Sequence, residues 1–208
     1  MFRARSALDA GLDAFKKRSW KRARKHLEDA ALAGERSAEY HFGLLLWRGL
    51  GGAQDREGAV YWFRRAAAQE LPAAQDALGA ALRSGMGAAQ DREEAWRLFK
   101  LASERGYAPA MANLATMCDP VDARRWMIRA AQTGHEPSML NLSDLIEQEE
   151  PIEALAWLYC AASVKGNETA AMRAKKLART LSAAGIAIAQ KRGRTLAKDV
   201  KAALKAEL

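Results

Sequence analysis

Three stretches of the chain repeat one another at an offset of 36 residues. KRARKHLEDAALAGERSAEYHFGLLLWRGLGGAQD ends at Asp55, EGAVYWFRRAAAQELPAAQDALGAALRSGMGAAQD ends at Asp91, and a third copy opens EEAWRLFKLASERGYAPAMANLA. Ala23, Ala59 and Ala95 fall in register, as do Phe42, Leu78 and Leu114, and Gly43, Gly79 and Ala115. Two shorter copies follow, ARRWMIRAAQTGHEP and ALAWLYCAASVKGN, so equivalent alanines lie 36, 36, 28 and 31 residues apart. A unit of this size cannot bury a hydrophobic face alone. It must stack on its neighbours, so the core is built copy by copy along the chain.

Each unit reads as two helices. The first carries A-x-x-x-L-G and ends at Gly-x-Gly, where glycine takes up the left-handed conformation that stops a helix. Asp55 and Asp91 then stand where an N-cap belongs, and Glu94, three residues after Asp91, is placed to complete a capping box. The second helix carries A-x-x-W-x-x-x-A-A, whose positions fall on one helical face. Alanine, with 46 residues the commonest in the chain, is the best helix former and lets helices approach closely. About twelve helices and no sheet are expected from two helices per unit. Trp62, Trp126 and Trp157 share one core position, which His26 fills in the opening copy, whereas Trp96 falls out of phase and is expected to be partly exposed. The third unit has a tight connection, MCDPVD, so its first helix should be short.

This pattern resembles the Sel1-like repeat, a relative of the tetratricopeptide repeat. It is carried best by AEYHFGLLLWRGLGGAQDREGAVYWFRRAAAQ and AAQDALGAALRSGMGAAQDREEAWRLFKLASERG. The resemblance implies an all-α protein: an α-solenoid of stacked antiparallel helix pairs forming a right-handed superhelix. The expected division is a tetratricopeptide-like hairpin over 1–36 and repeats over 37–72, 73–107, 108–135 and 136–166. Residues 167–208 lack the A-x-x-W signature and are expected to form two capping helices, about 168–180 and 182–205.

No catalytic constellation stands out. His26, His41 and His135 fall at different phases of the repeat, and no metalloprotease, nucleophile-elbow, phosphate-loop or dinucleotide motif occurs. The acidic run EQEEPIE reads as a solvated turn with negative charge at a helix start. The chain is therefore expected to be no enzyme and to need no cofactor or metal. Cys118 and Cys160 make no disulfide framework and no zinc spacing, which points to reduced thiols and a cytoplasmic setting. They also depart from the cysteine-rich Sel1-like proteins, which carry a disulfide in each repeat. No uncharged apolar run is long enough to span a bilayer.

Function by resemblance is protein–protein interaction, with a protein or peptide partner held by a scaffold or adaptor. In the tetratricopeptide array the first helices line a concave groove. By position, the groove residues would be Tyr40, Leu44, Trp47 and Arg48 in the first good unit and Asp76, Ala80, Arg83 and Ser84 in the second. Ala112 and Thr116, then Leu140 and Asp144, would follow. Trp, Tyr and Arg are the residue types that most often anchor interfaces. A second reading comes from charge. Residues 1–27 carry +7, 28–165 carry −6 and 166–208 carry +7. Lys16, Lys17, Arg18, Lys21 and Arg22, with Lys191, Arg192 and Arg194, would then contact nucleic acid or another anionic surface.

Overall fold

The structure, a computed structural model, describes residues 2–206 and the side chains of 6–164 and 166–206. Met1, Glu207 and Leu208, the extremes of the two terminal segments, lie outside the described residues. The described residues form twelve α-helices and no strand. They divide into two compact units, Met1–Arg105 and Gly106–Leu208.

The first unit holds three hairpins: α1 (Phe2–Lys16) with α2 (Trp20–Leu32), α3 (Arg36–Arg48) with α4 (Arg56–Ala68), and α5 (Pro72–Ser84) with α6 (Arg92–Glu104). α2 packs on α3 and α4 on α5, so each hairpin leans on the next. The alanines of the repeat, Ala23, Ala59 and Ala95, are wholly buried where the helices touch. The residue four places after each of them supplies the bulk: Leu27, Phe63 and Phe99. These three side chains lie on the glycine of the facing first helix. A Cβ at Gly11 would stand 2.7 Å from Leu27, one at Gly43 2.7 Å from Phe63, and one at Gly79 2.9 Å from Phe99. The glycine of A-x-x-x-L-G is thus a seat for the opposite ring.

The Gly-x-Gly loops do more than end helices. Gly49 and Gly85 are left-handed C-caps, as expected. Gly51 and Gly87, at φ 77° and 79°, press onto the first residue of the preceding second helix. A Cβ there would meet the carbonyl oxygen of Trp20 at 2.5 Å or of Arg56 at 2.4 Å. Each remaining loop residue has a bond to make. Gln54 Nε2 donates to the Trp47 carbonyl at 2.7 Å and Gln90 Nε2 to that of Arg83 at 2.8 Å. Asp55 accepts from the Gly58 amide at 2.8 Å and Asp91 from the Glu94 amide at 2.9 Å. The capping box does not close. The Asp91 amide donates to the Leu82 carbonyl instead, and Glu94 turns to pair with Arg97 through two 2.7 Å contacts.

The second unit comprises α7 (Ala108–Ala115), α8 (Pro120–Gln132), α9 (Glu136–Ile146), α10 (Pro151–Lys165), α11 (Glu168–Ala178) and α12 (Ala183–Ala206). α7 has eight residues against thirteen in α3 and α5, as the tight connection requires. Asp119 caps α8 and Pro120 opens it. The tryptophan position behaves unevenly. Trp62 and Trp157 are buried, but Trp126 is only half-buried, with Arg129 over its ring and the core contact made by Met127. The short α7 leaves less surface for the indole to bury against. Trp96 is exposed as expected.

The tail departs from a simple end cap. α11 packs on α10 as a further first helix would, but α12 does not pair with it. α12 lies along α10 instead and reaches α8. Small residues permit the contact: a Cβ at Gly193 would stand 2.8 Å from both the Ala156 carbonyl oxygen and Tyr159 Cβ. α10 is consequently covered from several sides, and Ala154 to Leu158 are buried without a break.

Candidate protein-binding surface

On α3, Tyr40, Leu44 and Trp47 form a half-buried stripe that ends at the exposed Arg48. These positions recur on one helical face. Tyr40 sits edge-on to His41 at 5.1 Å and tilted to Phe63 at 6.1 Å. Trp47 lies tilted against the same Phe63 at 6.1 Å, and Arg56 covers it at 5.8 Å. On α5, Asp76, Ala80 and Arg83 are half-buried and Ser84 is exposed. Arg83 stacks over Phe99 at 5.4 Å. Trp47 and Arg83 therefore occupy the same slot in successive repeats, each resting on the aromatic ring that fills the glycine seat below. The first is an aromatic with a cation on it, the second a cation on an aromatic.

His41 continues the aromatic row. Its ring meets Phe15 edge-on at 5.3 Å, and its Nδ1 donates to the Ser37 carbonyl at 2.7 Å. Burial lowers its pKa below the ordinary histidine value, with the Ser37 bond acting in the opposite sense. His26 is half-buried, and His135 N-caps α9 in backbone position while its Nδ1 meets Ser138 Oγ at 2.7 Å.

The remaining expected groove residues belong to the second unit. Thr116 is exposed and donates its hydroxyl to the Asn113 carbonyl at 2.7 Å, and Asp144 is exposed and ion-paired with Arg173. Eight of the twelve expected groove residues thus lie in the first unit, and Ala112, Thr116, Leu140 and Asp144 lie in the second. The basic residues Lys16, Lys17, Arg18, Lys21 and Arg22 are all exposed around the turn between α1 and α2, with Lys17 bonded to Asp13 at 2.9 Å. Lys191, Arg192 and Arg194 are exposed on α12, with Arg192 3.4 Å from Glu153.

The sequence did not single out a further cluster, at the joint between α4 and α6. Arg64, Glu70, Glu94, Arg97 and Arg105 surround a cavity of about 340 Å³. A signal for it exists in the repeat alignment, where Trp62 of one copy becomes Leu98 in the next. Among the described residues no group of His, Cys, Asp and Glu is arranged to hold a metal ion. No helix of the described residues is long and apolar enough to cross a membrane. Cys118 is half-buried and Cys160 buried, and no disulfide joins them.

Helix hairpins repeated on small-residue seams define a helical-repeat protein of the solenoid class. Sel1 repeats match residues 36–71, 72–107, 119–135 and 139–163, more than half of the chain, and the chain belongs to the Sel1 repeat family. Among solved structures it is similar to a Sel1 repeat protein from Oxalobacter formigenes. That match has a TM-score of 0.70 and 23% identity over 91% of this chain and 82% of that one. It is also similar to immunity protein Pa5087 from Pseudomonas aeruginosa, with TM-score 0.57 and 19% identity over 88% and 75%. A third is c5321, a protective antigen of uropathogenic Escherichia coli, with TM-score 0.50 and 20% identity over 89% of this chain and 50% of that one. At these identities the likeness is one of fold. No curated protein matches the chain. Sel1 repeat proteins are in general scaffolds for protein–protein contact.

Proposed function

We propose that the chain is a non-enzymatic adaptor that holds a protein segment against the first helices α3 and α5. The observation that carries this reading is the shared slot, Trp47 on Phe63 and Arg83 on Phe99. Both side chains are half-buried, so each is held in one orientation while presenting an edge to a partner. Held side chains lose less entropy on binding than free ones, which favours anchors of this kind. Arg48, exposed one residue beyond Trp47, adds a charge beside the aromatic. The partner segment then carries an apolar residue for Trp47 and an acidic one for Arg83. Thr116 and Asp144 are the positions in the second unit that the same reading assigns by the repeat. Residues 1–36 and 167–208 serve as the flanking segments of the repeats, and two cysteines in no disulfide favour the cytoplasm as the compartment.

The test exchanges the two slots. The double variant Trp47→Arg, Arg83→Trp leaves each phenylalanine ring covered, Phe63 by a guanidinium and Phe99 by an indole, so its melting temperature should stay near that of the unaltered chain. Affinity capture from the native cell should lose the partner. If the exchanged chain captures the same proteins, and Lys191→Glu with Arg192→Glu loses them, the basic tail is the binding surface.

A further inference from the structure

The opening copy of the repeat differs in chemistry from the next one at a single shared joint. Between the start of α2 and the Gly51–Gly52 loop lies a shallow cavity of about 570 Å³, lined by Ser19, Trp20, Lys21, Arg22, Gly51 and Gly52. Its wall is mostly apolar. Trp20 is the aromatic residue on that wall, and it is held from two sides. Phe15 meets the indole edge-on at 5.4 Å, and Gly51 presses on the Trp20 carbonyl. The two glycines put no side chain into the cavity, so a flat group can approach the loop backbone closely.

Cations gather at the same place. Lys21 and Arg22 are exposed on the wall, and Lys16, Arg18 and Lys25 are exposed on the same hairpin. None of these five side chains makes a hydrogen bond or ion pair among the described residues. Lys17 and Arg24 are committed, to Asp13 at 2.9 Å and to the Ala53 carbonyl at 3.1 Å. No carboxylate is among the lining residues. One repeat later the backbone contact recurs, with Gly87 pressing on the Arg56 carbonyl. There the equivalent residues are Asp55, Arg56, Glu57, Gly58, Gly87 and Ala88. The aromatic is lost and two carboxylates enter, yet the joint packs in the same way. Repeat packing therefore does not account for Trp20, Lys21 and Arg22.

We propose that this cavity binds single-stranded nucleic acid without sequence preference, one base stacked on Trp20 and the flanking phosphates paired with Lys21 and Arg22. Every base has a flat π-face, and an aromatic beside a cationic strip is the combination that such a strand needs. Lys16, Arg18 and Lys25 extend the positive field along the strand. Two features argue against other anionic partners. A half-buried indole in a concave wall does not protrude as an aromatic must to enter a bilayer surface. An acidic peptide would use the cations but leave the indole without a partner. The site does not rest on the α3–α5 stripe and stands or falls without it.

The probe is a fluorescent oligothymidylate, titrated with the full chain by anisotropy at several salt concentrations. The strand should bind, and more weakly as salt rises. Lys21→Glu with Arg22→Glu should weaken binding about tenfold or more and flatten the salt slope by about 1.4, two phosphate contacts at about 0.7 each. Trp20→Leu should weaken it about tenfold and leave the salt slope unchanged, because stacking releases no counterions. The melting temperature of that variant is compared with that of the unaltered chain. A strand carrying 5-iodouracil should also photocrosslink to Trp20 of the unaltered chain, mapped by mass spectrometry, whatever the stability of the variant. Lys191→Glu with Arg192→Glu should leave binding unchanged. Absence of binding overturns the proposal. So does binding that ignores Trp20→Leu, that crosslinks elsewhere, or that falls only with the reversals on α12. Phosphatidylserine vesicles or polyglutamate bound as tightly as the strand overturn it as well.

Discussion

At the residue scale, the glycine seats set the tolerance of the repeat. A methyl group at Gly43 or Gly79 meets the ring of Phe63 or Phe99 well inside van der Waals contact. Gly43→Ala and Gly79→Ala should each cost about 1–3 kcal/mol, as overpacking does, measured by urea unfolding. The third copy has Ala115 where the earlier copies have glycine, and Met127, a flexible side chain, where the two before it have a flat ring. Two titrating groups give signed expectations. His41 is held neutral by burial, so its native pKa lies below 6.5. The stability it contributes is present above that value and is lost as pH falls through it toward the lower native pKa. The melting temperature should decline on acidification, and His41→Phe should flatten the decline. Burial pushes the Cys160 thiol from 9.0 up to about 11. Its contribution is present below pH about 9 and is lost as pH rises toward 11. At pH about 8 an alkylating reagent should label Cys118 and spare Cys160 until the chain unfolds, read by mass spectrometry.

At the element scale, helix ends were more legible in the chain than helix faces. Asp55, Asp91, Gly49 and Gly85 each mark a terminus by a bond or a dihedral that only a few residue types allow, so their identity carried the boundary. Asp55→Ala or Asp91→Ala should cost about 1 kcal/mol by thermal unfolding. The role of Gly51 and Gly87 was hidden, because a glycine that avoids a neighbouring backbone looks in sequence like one that turns the chain. Trp126 was misplaced for a related reason. Its slot is set by periodicity, but its burial is set by the length of α7, which lies outside the motif. Trp157→Ala should cost about 3–5 kcal/mol, the loss for a buried large side chain, and Trp126→Ala clearly less.

At the scale of the whole molecule, periodicity made the all-α repeat architecture legible, since copies in register leave few alternatives. The binding surface was legible only in part. Its residues could be named by position, but nothing in the repeat singled out Phe63 and Phe99, on which Trp47 and Arg83 rest. The α4–α6 cleft is defined by a side chain that shrinks between copies, and a search for what repeats passes over what changes. The tail misled for a different reason. An apolar stripe of small residues suits a helix that closes the end of an array and equally one laid along a second helix, and only the absence of α11–α12 pairing distinguishes them. Removing residues 183–208 should uncover Ala156 and Cys160. The shortened chain should show Cys160 alkylated in buffer, while the exchange protection of amides in α3 to α6 is retained.

The burial of α10 has a consequence for synthesis. Chains are made from the N-terminus, and units fold as they emerge. Each hairpin of the first unit can settle on its predecessor as soon as its own second helix is complete. α10 cannot, because the face that receives Gly193, Leu196 and Val200 stays bare until those residues have been added. For that interval the nascent chain offers a hydrophobic helix to chaperones and to neighbouring chains. Slow translation between residues 165 and 200 would lengthen the exposure and favour aggregation during synthesis, even though the finished protein hides every trace of it.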